Sequence, residues 1–255
     1  MRRSVPLATA LITLLAACST TAPSASRQAT PSASVTPFPA AYDRGATYQP
    51  PVNPTTFVDK VDNPYFPLVP GTRWVLKAHG ADAGETTITQ VTSKTKLVMG
   101  IRCTVVRDEV HAEGRLKELT FDWYAQDSAG NVWYMGEDTA EYTNGNPSRE
   151  GSWEAGVGGA QPGIIMPASP IVELTYRQEF LKGSAEDLAK VVDTTATADT
   201  PFRSFGDVWV TEDWTPLEPT IVERKFYARG VGLVMEQLIK GGRGTNALTD
   251  YSAPN

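Results

Sequence analysis

Between residues 57 and 251 no helical period is held for long. The chain passes instead through about ten short stretches of β-branched and aromatic residues, each ended by a turn former. Residues 73–77, 85–91, 95–99 and 101–110 are separated by Gly80, Gly84 and Gly100. In the stretch 116–126, Leu119, Phe121 and Trp123 fall on one face and Thr120, Asp122 and Tyr124 on the other, the period of two that a half-buried strand requires. Asp127-Ser128-Ala129-Gly130-Asn131 is a turn signal, so residues 132–135 should return beside that strand as a hairpin. The second half repeats the texture in residues 174–181, 188–195, 207–214, 221–228, 232–239 and 245–251. Ser184-Ala185-Glu186-Asp187 has capping-box spacing, but residues 188–192 read at least as well as a strand. Many short strands with turns between them predict an all-β fold. An antiparallel meander curled into a β-barrel or half-barrel would protect its edges, and a two-sheet β-sandwich is the alternative.

These strands occupy residues 56–255, a length that suits one domain with a sizeable core. Residues 18–55 are rich in Ser, Thr, Ala and Pro and nearly devoid of aliphatic side chains, so they cannot bury enough apolar surface to fold. They read as a tether. A flexible chain of about 37 residues reaches roughly 30 to 40 Å, and prolines such as Pro31 and Pro50 lengthen it.

Residues 1–17 carry a different pattern: Arg2 and Arg3, an apolar run, then Ala16-Ala17 immediately before Cys18. The run is too short to span a bilayer and contains Pro6, so it reads as a cleaved signal. With Cys18 it resembles the lipobox of bacterial lipoproteins, which implies a diacylglycerated thiol and cleavage just before it. The expected location is the bacterial cell envelope, lipid-anchored to the extracytoplasmic face of a membrane. Two acyl chains hold firmly where one would not, at about 0.8 kcal/mol per buried methylene.

Loss of Arg2 and Arg3 with the signal lowers the basic count from 23 to 21 against 29 acidic residues, a net charge of −8. An acidic domain gains nothing from anionic lipid, so the lipid at Cys18 must do the anchoring, and nucleic acid is not an expected partner. Cys103, the other cysteine, reads as a small buried hydrophobe between Ile101 and Val105.

Several phrases resemble a group of uncharacterised bacterial exported proteins and lipoproteins. They include Asn63-Pro64-Tyr65-Phe66-Pro67-Leu68 followed by Pro70-Gly71-Thr72-Arg73-Trp74, which together look like that group's opening strand, and Gly136-Glu137-Asp138-Thr139-Ala140-Glu141-Tyr142. Others are Gly151-Ser152-Trp153-Glu154-Ala155-Gly156-Val157, Pro162-Gly163-Ile164-Ile165-Met166-Pro167, Tyr176-Arg177-Gln178-Glu179 and Trp214-Thr215-Pro216-Leu217-Glu218-Pro219. The phrase Phe226-Tyr227-Ala228-Arg229-Gly230-Val231-Gly232-Leu233-Val234 completes the set. The resemblance names a family without an activity or catalytic residues. A looser, fold-level likeness is to β half-barrel lipoproteins that shelter lipids.

The interlude 142–170 is dense in glycine and proline yet contains Trp153, Ile164, Ile165 and Met166. It reads as a lid over a barrel mouth or as a connection capping one end of the core. Trp123, Trp133, Tyr176 and Trp209 are the candidates for an aromatic concave face beneath it, which would take a lipid or other apolar ligand.

Signatures of nucleophilic elbows, phosphate loops and zinc proteases are absent from the sequence. With only His79 and His111, a three-histidine metal site is impossible, and no metal or cofactor is expected. Glu137, Asp138 and Glu141 follow a predicted strand, and with Glu154 they form the acidic region on which a carboxylate hydrolase would depend. A binding module for an apolar or lipid-like ligand is the leading reading; a hydrolase, or a structural partner of another envelope protein, is the alternative. Convergent carboxylates in a cleft would favour the hydrolase, and a wholly apolar pocket the binding module.

Overall fold

The computed structural model describes residues 48–80, 83–143 and 145–254; the expected signal, Cys18 and most of the expected tether lie outside them. The described chain is built from strands, with a single 3-10 turn at Pro54–Thr56 and no α-helix. The wall begins with β2 (Arg73–Gly80), β3 (Glu85–Val98), β4 (Ile101–Ala112), β5 (Arg115–Asp127) and β6 (Val132–Thr143), and a two-residue strand β1 (Phe57–Val58) flanks β5. From the second half come β12 (Leu188–Asp199), β13 (Ser204–Trp214), β14 (Val222–Ala228), β15 (Gly232–Lys240) and β16 (Gly244–Ser252), the last pairing back onto β2. Each long strand is hydrogen-bonded antiparallel to its neighbours, so the result is one meander nearly closed into a barrel. It is not a two-sheet sandwich.

The expected break between residues 91 and 95 is a register shift within one long strand, β3, where the pairing with β4 slips between Val91 and Thr95. The residues after Asp187 are the strand β12, so the capping-box spacing marks no helix.

The interlude is not a lid: its apolar Trp153 and Ile164 are core residues of one apolar cluster and Met166 of another, and part of it is strand. Its three segments β7 (Asn146–Ser148), β8 (Trp153–Glu154) and β9 (Gln161–Met166) pair in turn with β6, so they continue the wall. Glycine makes this possible. At Gly136, where φ is +137°, an added Cβ would lie 2.5 Å from the Trp153 carbonyl oxygen, so only a bare backbone admits β8 at this distance.

The remaining seam is spanned by one continuous stretch. β10 (Thr175–Arg177) pairs with β12, and two residues later β11 (Glu179–Phe180) pairs with β9 on the opposite edge. The backbone of Arg177 and Gln178 lies against Gly163, whose hypothetical Cβ would be 2.3 Å from the Gln178 carbonyl carbon. The seam thus depends on Gly163 having no side chain.

Apolar side chains pack in two clusters. One encloses the base of the barrel: Val61, Tyr65 and Leu68 from the segment before β2 pack with Trp74, Leu76, Val106, Tyr227 and Leu248. Of the phrase likened to an opening strand, Arg73 and Trp74 do begin β2, but residues 63–68 are not part of a strand. They form a plug, tied at several points: the Gln126 side-chain oxygen accepts from the Asp62 and Asn63 amides at 2.9 and 2.8 Å, and Asn63 donates to the Gly130 and Pro167 carbonyls. The Gly230 amide reaches the Pro64 carbonyl at 2.7 Å. The other cluster joins Ile101, Cys103, Trp123, Trp133, Met135, Ile164 and Tyr176, with Val52 and Phe57 packed against it. Cys103 has no exposed surface, and burial pushes its thiol up to about 12, as a small core hydrophobe requires.

Chain contacts with the domain begin before the expected end of the tether. Tyr48 packs edge-on against Phe180 with ring centroids 5.9 Å apart, and the Arg177 guanidinium lies 5.5 Å from the Tyr48 ring.

Candidate functional site

The barrel holds a cavity of about 580 Å³. Its floor is apolar: Phe66 and Leu68 from the plug meet Trp74, Leu76, Tyr124, Ile165, Tyr227 and Leu233 from the wall. Phe66 stands edge-on to Tyr124 with centroids 5.2 Å apart, and Tyr124 stacks on Tyr134 at 4.9 Å. The cavity reaches the end of the barrel where Lys117, Thr143 and Gly244 lie.

Above that floor the walls are acidic. Glu85, Asp108, Glu118, Asp122 and Glu141 line the cavity from β3 to β6, Glu179 and Asp187 line it at the seam, and Glu223 and Glu236 line it from β14 and β15. These nine carboxyls share the lining with only two lysines, Lys117 and Lys225, and Lys225 is already paired with Asp213 at 3.2 Å.

The innermost carboxyls are buried together. Tyr134 places its hydroxyl 2.6 Å from Asp122 Oδ1 and 3.1 Å from Glu137 Oε2. A phenol has one proton, so it can donate to only one of the two carboxyls, and the other is satisfied there only while it keeps its own proton to donate to the phenol oxygen. On the far side, the Trp153 indole donates to Glu179 Oε2 at 2.9 Å, while Glu179 Oε1 is buried without a partner. Asp122 is 7%, Glu137 1% and Glu179 2% exposed. Burial pushes Asp122 up to about 8, with the charge of Asp108 adding to it, and burial followed by the charge of Asp187 takes Glu179 to about 8. Glu137 is raised by burial first and by Glu179 and Asp122 next.

The sign of the linkage follows from these shifts. In the unfolded chain these groups ionise in the ordinary carboxylate range, about 4; in the native state they retain protons up to about pH 8. The native state therefore binds more protons between those limits, and stability that is fully present at low pH is lost as pH rises toward 8. The melting temperature of the purified protein should fall by roughly 5 °C or more from pH 5 to pH 8, a domain of this size changing by about 2–4 °C per kcal/mol. Scanning calorimetry giving a flat or rising profile over that interval would contradict this arrangement, and Asp122→Asn should shrink the fall.

Most of the sequence candidates lie elsewhere. Of Trp123, Trp133, Trp153, Ile164, Ile165, Met166, Tyr176 and Trp209, only Ile165 lines the cavity. Trp123 packs in the second cluster under the Lys96 ammonium, which lies 3.5 Å from its ring centroid. Trp133 packs there too, its indole donating to Asp127 at 2.9 Å. Ile164 and Tyr176 are core residues of that cluster, and Met166 of the basal one. Trp209 stacks on Tyr65 with centroids 3.5 Å apart, holding the plug. Trp153 contributes through Glu179.

The acidic candidates do not form one region, because Glu137, Asp138 and Glu141 lie within β6 rather than after it. Alternation sends Glu137 and Glu141 toward the interior, while Asp138 pairs with Arg149. Glu154 pairs with Lys96 at 2.8 Å. The Glu137, Asp138 and Glu154 set proposed for a hydrolase therefore shares no cleft, although other carboxyls, Asp122 and Glu179 among them, do converge on the cavity, which is not the wholly apolar pocket expected of a binding module. His79 and His111 sit on β2 and β4 with β3 between them, and among the described residues no group of three or more His, Cys, Asp or Glu is placed to hold a metal ion.

Sequence reading missed Asp122, Glu179 and the plug. Asp122 was assigned correctly to the face shared with Thr120 and Tyr124, but that face is the interior one, opposite to Trp123.

No family model and no curated protein matches the chain. Among solved structures, a candidate exported protein of Bacteroides fragilis with a YmcC-like fold aligns over 74% of this chain and 99% of its own, at 15% identity and a TM-score of 0.45. A candidate lipoprotein of Parabacteroides distasonis aligns over 74% of this chain and 98% of its own, at 13% identity and a TM-score of 0.39.

Proposed function

We propose that the chain is a membrane-anchored extracytoplasmic lipoprotein, held through Cys18, whose barrel is a binding module for an apolar or lipid-like ligand. The observation that carries the binding reading is the cavity of about 580 Å³, floored by Phe66, Leu68, Tyr124, Ile165 and Tyr227 and reaching one end of the barrel. Its volume lies within the range of about 300–1,000 Å³ usual for small-molecule sites, and an apolar floor gains free energy when a ligand displaces water from it. The anchor follows from the signal and Cys18.

The purified protein should bind the neutral fluorophore N-phenyl-1-naphthylamine saturably, at one per chain. Leu233, which lines the cavity and is only half-buried, offers a place to fill it. Leu233→Trp should weaken binding at least fivefold with little change in melting temperature. Unchanged affinity in that variant, or no saturable binding to the unaltered protein, would exclude the cavity as the site. In cells, Cys18→Ala should leave the chain uncleaved or free of the membrane fraction, and a mature membrane-bound form of that variant would overturn the anchor.

A further inference from the structure

The inner end of the cavity has too few hydrogen-bond donors for its acceptors. Asp122, Glu137 and Glu179 present six carboxyl oxygens between them; the donors facing these three are the Tyr134 hydroxyl, the Trp153 indole and the Asp122 backbone amide. The hydroxyl is divided between two carboxyls, and Glu179 Oε1 is buried with no partner at all. Ionised, the three would leave most of these oxygens without donors, and alone they avoid that by keeping their protons, so an added donor group completes what the fold leaves open. The apolar floor lies immediately beside it: Tyr134 belongs to both, touching the carboxyls with its hydroxyl and stacking on Tyr124 with its ring.

We infer that the cavity takes a cationic amphiphile, a molecule whose apolar part lies on the Phe66, Tyr124 and Tyr227 floor and whose primary ammonium group is held by Glu179 and Asp122 of the cavity lining, with Glu137 behind them. This rests on the binding reading above and adds the chemistry of the ligand. A primary ammonium has three N–H donors and no acceptor, which is the complement of carboxyls short of donors. Nine lining carboxyls against two lysines would draw a cation in and repel a carboxylate or phosphate headgroup. The charged surroundings of the three are Asp108 on β4, Glu118 on β5, and Asp187 before β12. Lys225 on β14, paired with Asp213 on β13, opposes this charge at Glu179.

Protons accompany the binding. The carboxyls hold protons near neutral pH, so an incoming ammonium ionises them and expels protons to solvent. An alkylammonium stays charged across this range, as a lysine does, so the carboxyls set the pH dependence.

The test compares decylammonium, decanol and decanoate, three probes with one alkyl chain and different heads, by isothermal titration of the purified full-length protein in detergent below interfering concentrations. Decylammonium should bind at least tenfold more tightly than decanol and decanoate least tightly. Its affinity should rise severalfold from pH 6 to pH 8.5, and buffers of different ionisation enthalpy should report proton release. Glu179→Gln, which keeps an acceptor for the Trp153 indole, should abolish most of the preference for the amine while leaving decanol affinity within twofold. Equal affinity for amine and alcohol, or a preference for decanoate, would overturn the inference while leaving the binding reading intact. Failure of all three probes to bind would overturn both.

Discussion

Gly163→Ala should open the barrel. The added methyl would stand 2.3 Å from the Gln178 carbonyl carbon, 2.4 Å from its oxygen and 2.5 Å from the Arg177 carbonyl oxygen. All three are backbone atoms, so no side-chain rotation relieves the clash. Either β9 or the 175–180 stretch must move, and that stretch is what links the β12 edge to the β9 edge. Overpacking of a well-filled interior costs about 1–3 kcal/mol and more where the backbone itself must shift, so a loss of about 3 kcal/mol or more is expected. At roughly 2–4 °C per kcal/mol the melting temperature should drop by about 10 °C. Amide exchange should rise first at Glu179, Phe180 and the β9 strand, since those hydrogen bonds cross the seam. Gly206→Ala is the control: its Cβ meets nothing within 4 Å and its φ is not positive, so it should change stability by less than about 0.5 kcal/mol. Similar melting curves for the two variants would show that the seam is not closed as described.

Asn63→Leu should have an effect of the same order for a different reason. Asn63 is 2% exposed, and its side chain serves three backbone groups at once. Its amide donates to the Gly130 carbonyl at 2.9 Å and the Pro167 carbonyl at 3.2 Å, while its oxygen accepts from the Tyr65 amide at 2.9 Å. Leucine has about the same size and can serve none of them. Each buried group left unsatisfied costs about 1–3 kcal/mol, so a total loss of roughly 3 to 5 kcal/mol is expected from denaturant unfolding. Gln126→Leu should resemble it, because Gln126 holds the neighbouring Asp62 and Asn63 amides. Since both side chains secure one plug, the double variant should lose clearly less than the sum of the singles. Strict additivity would mean that the plug is not a cooperative unit. The variants should also bind N-phenyl-1-naphthylamine differently from the unaltered protein, because Phe66 and Leu68 of the same plug form the cavity floor.

Much of the architecture was legible in the chain because strand formation is locally encoded. Period-two alternation and glycine punctuation located nearly every long strand, and the Asp127 to Asn131 turn returns the chain as expected, with Asp127 Oδ1 accepting from the Ala129 and Asn131 amides. The barrel followed from the number of strands and the need to protect their edges. The candidate site was far less legible. Alternation divides a strand into two faces but does not say which face looks inward, and an aromatic face is no sign of a lumen when segments outside the barrel can bury it.

The structure reverses that assignment for β5, and the reason is tertiary. Segments 52–58 and 154–160 cover its outer face, so Trp123 is buried outside the lumen while Asp122 and Tyr124 point into it. The strands, their antiparallel succession, the net negative charge and the lipobox-like start can all be read along the chain. That residues 61–68 form a plug, that residues 153–166 complete the wall, and that Glu179 reaches the neighbourhood of Asp122 and Glu137 from more than forty positions away is set by long-range packing. Those arrangements depend on which faces meet after the sheet curls, a matter of contacts between distant segments that no local period records.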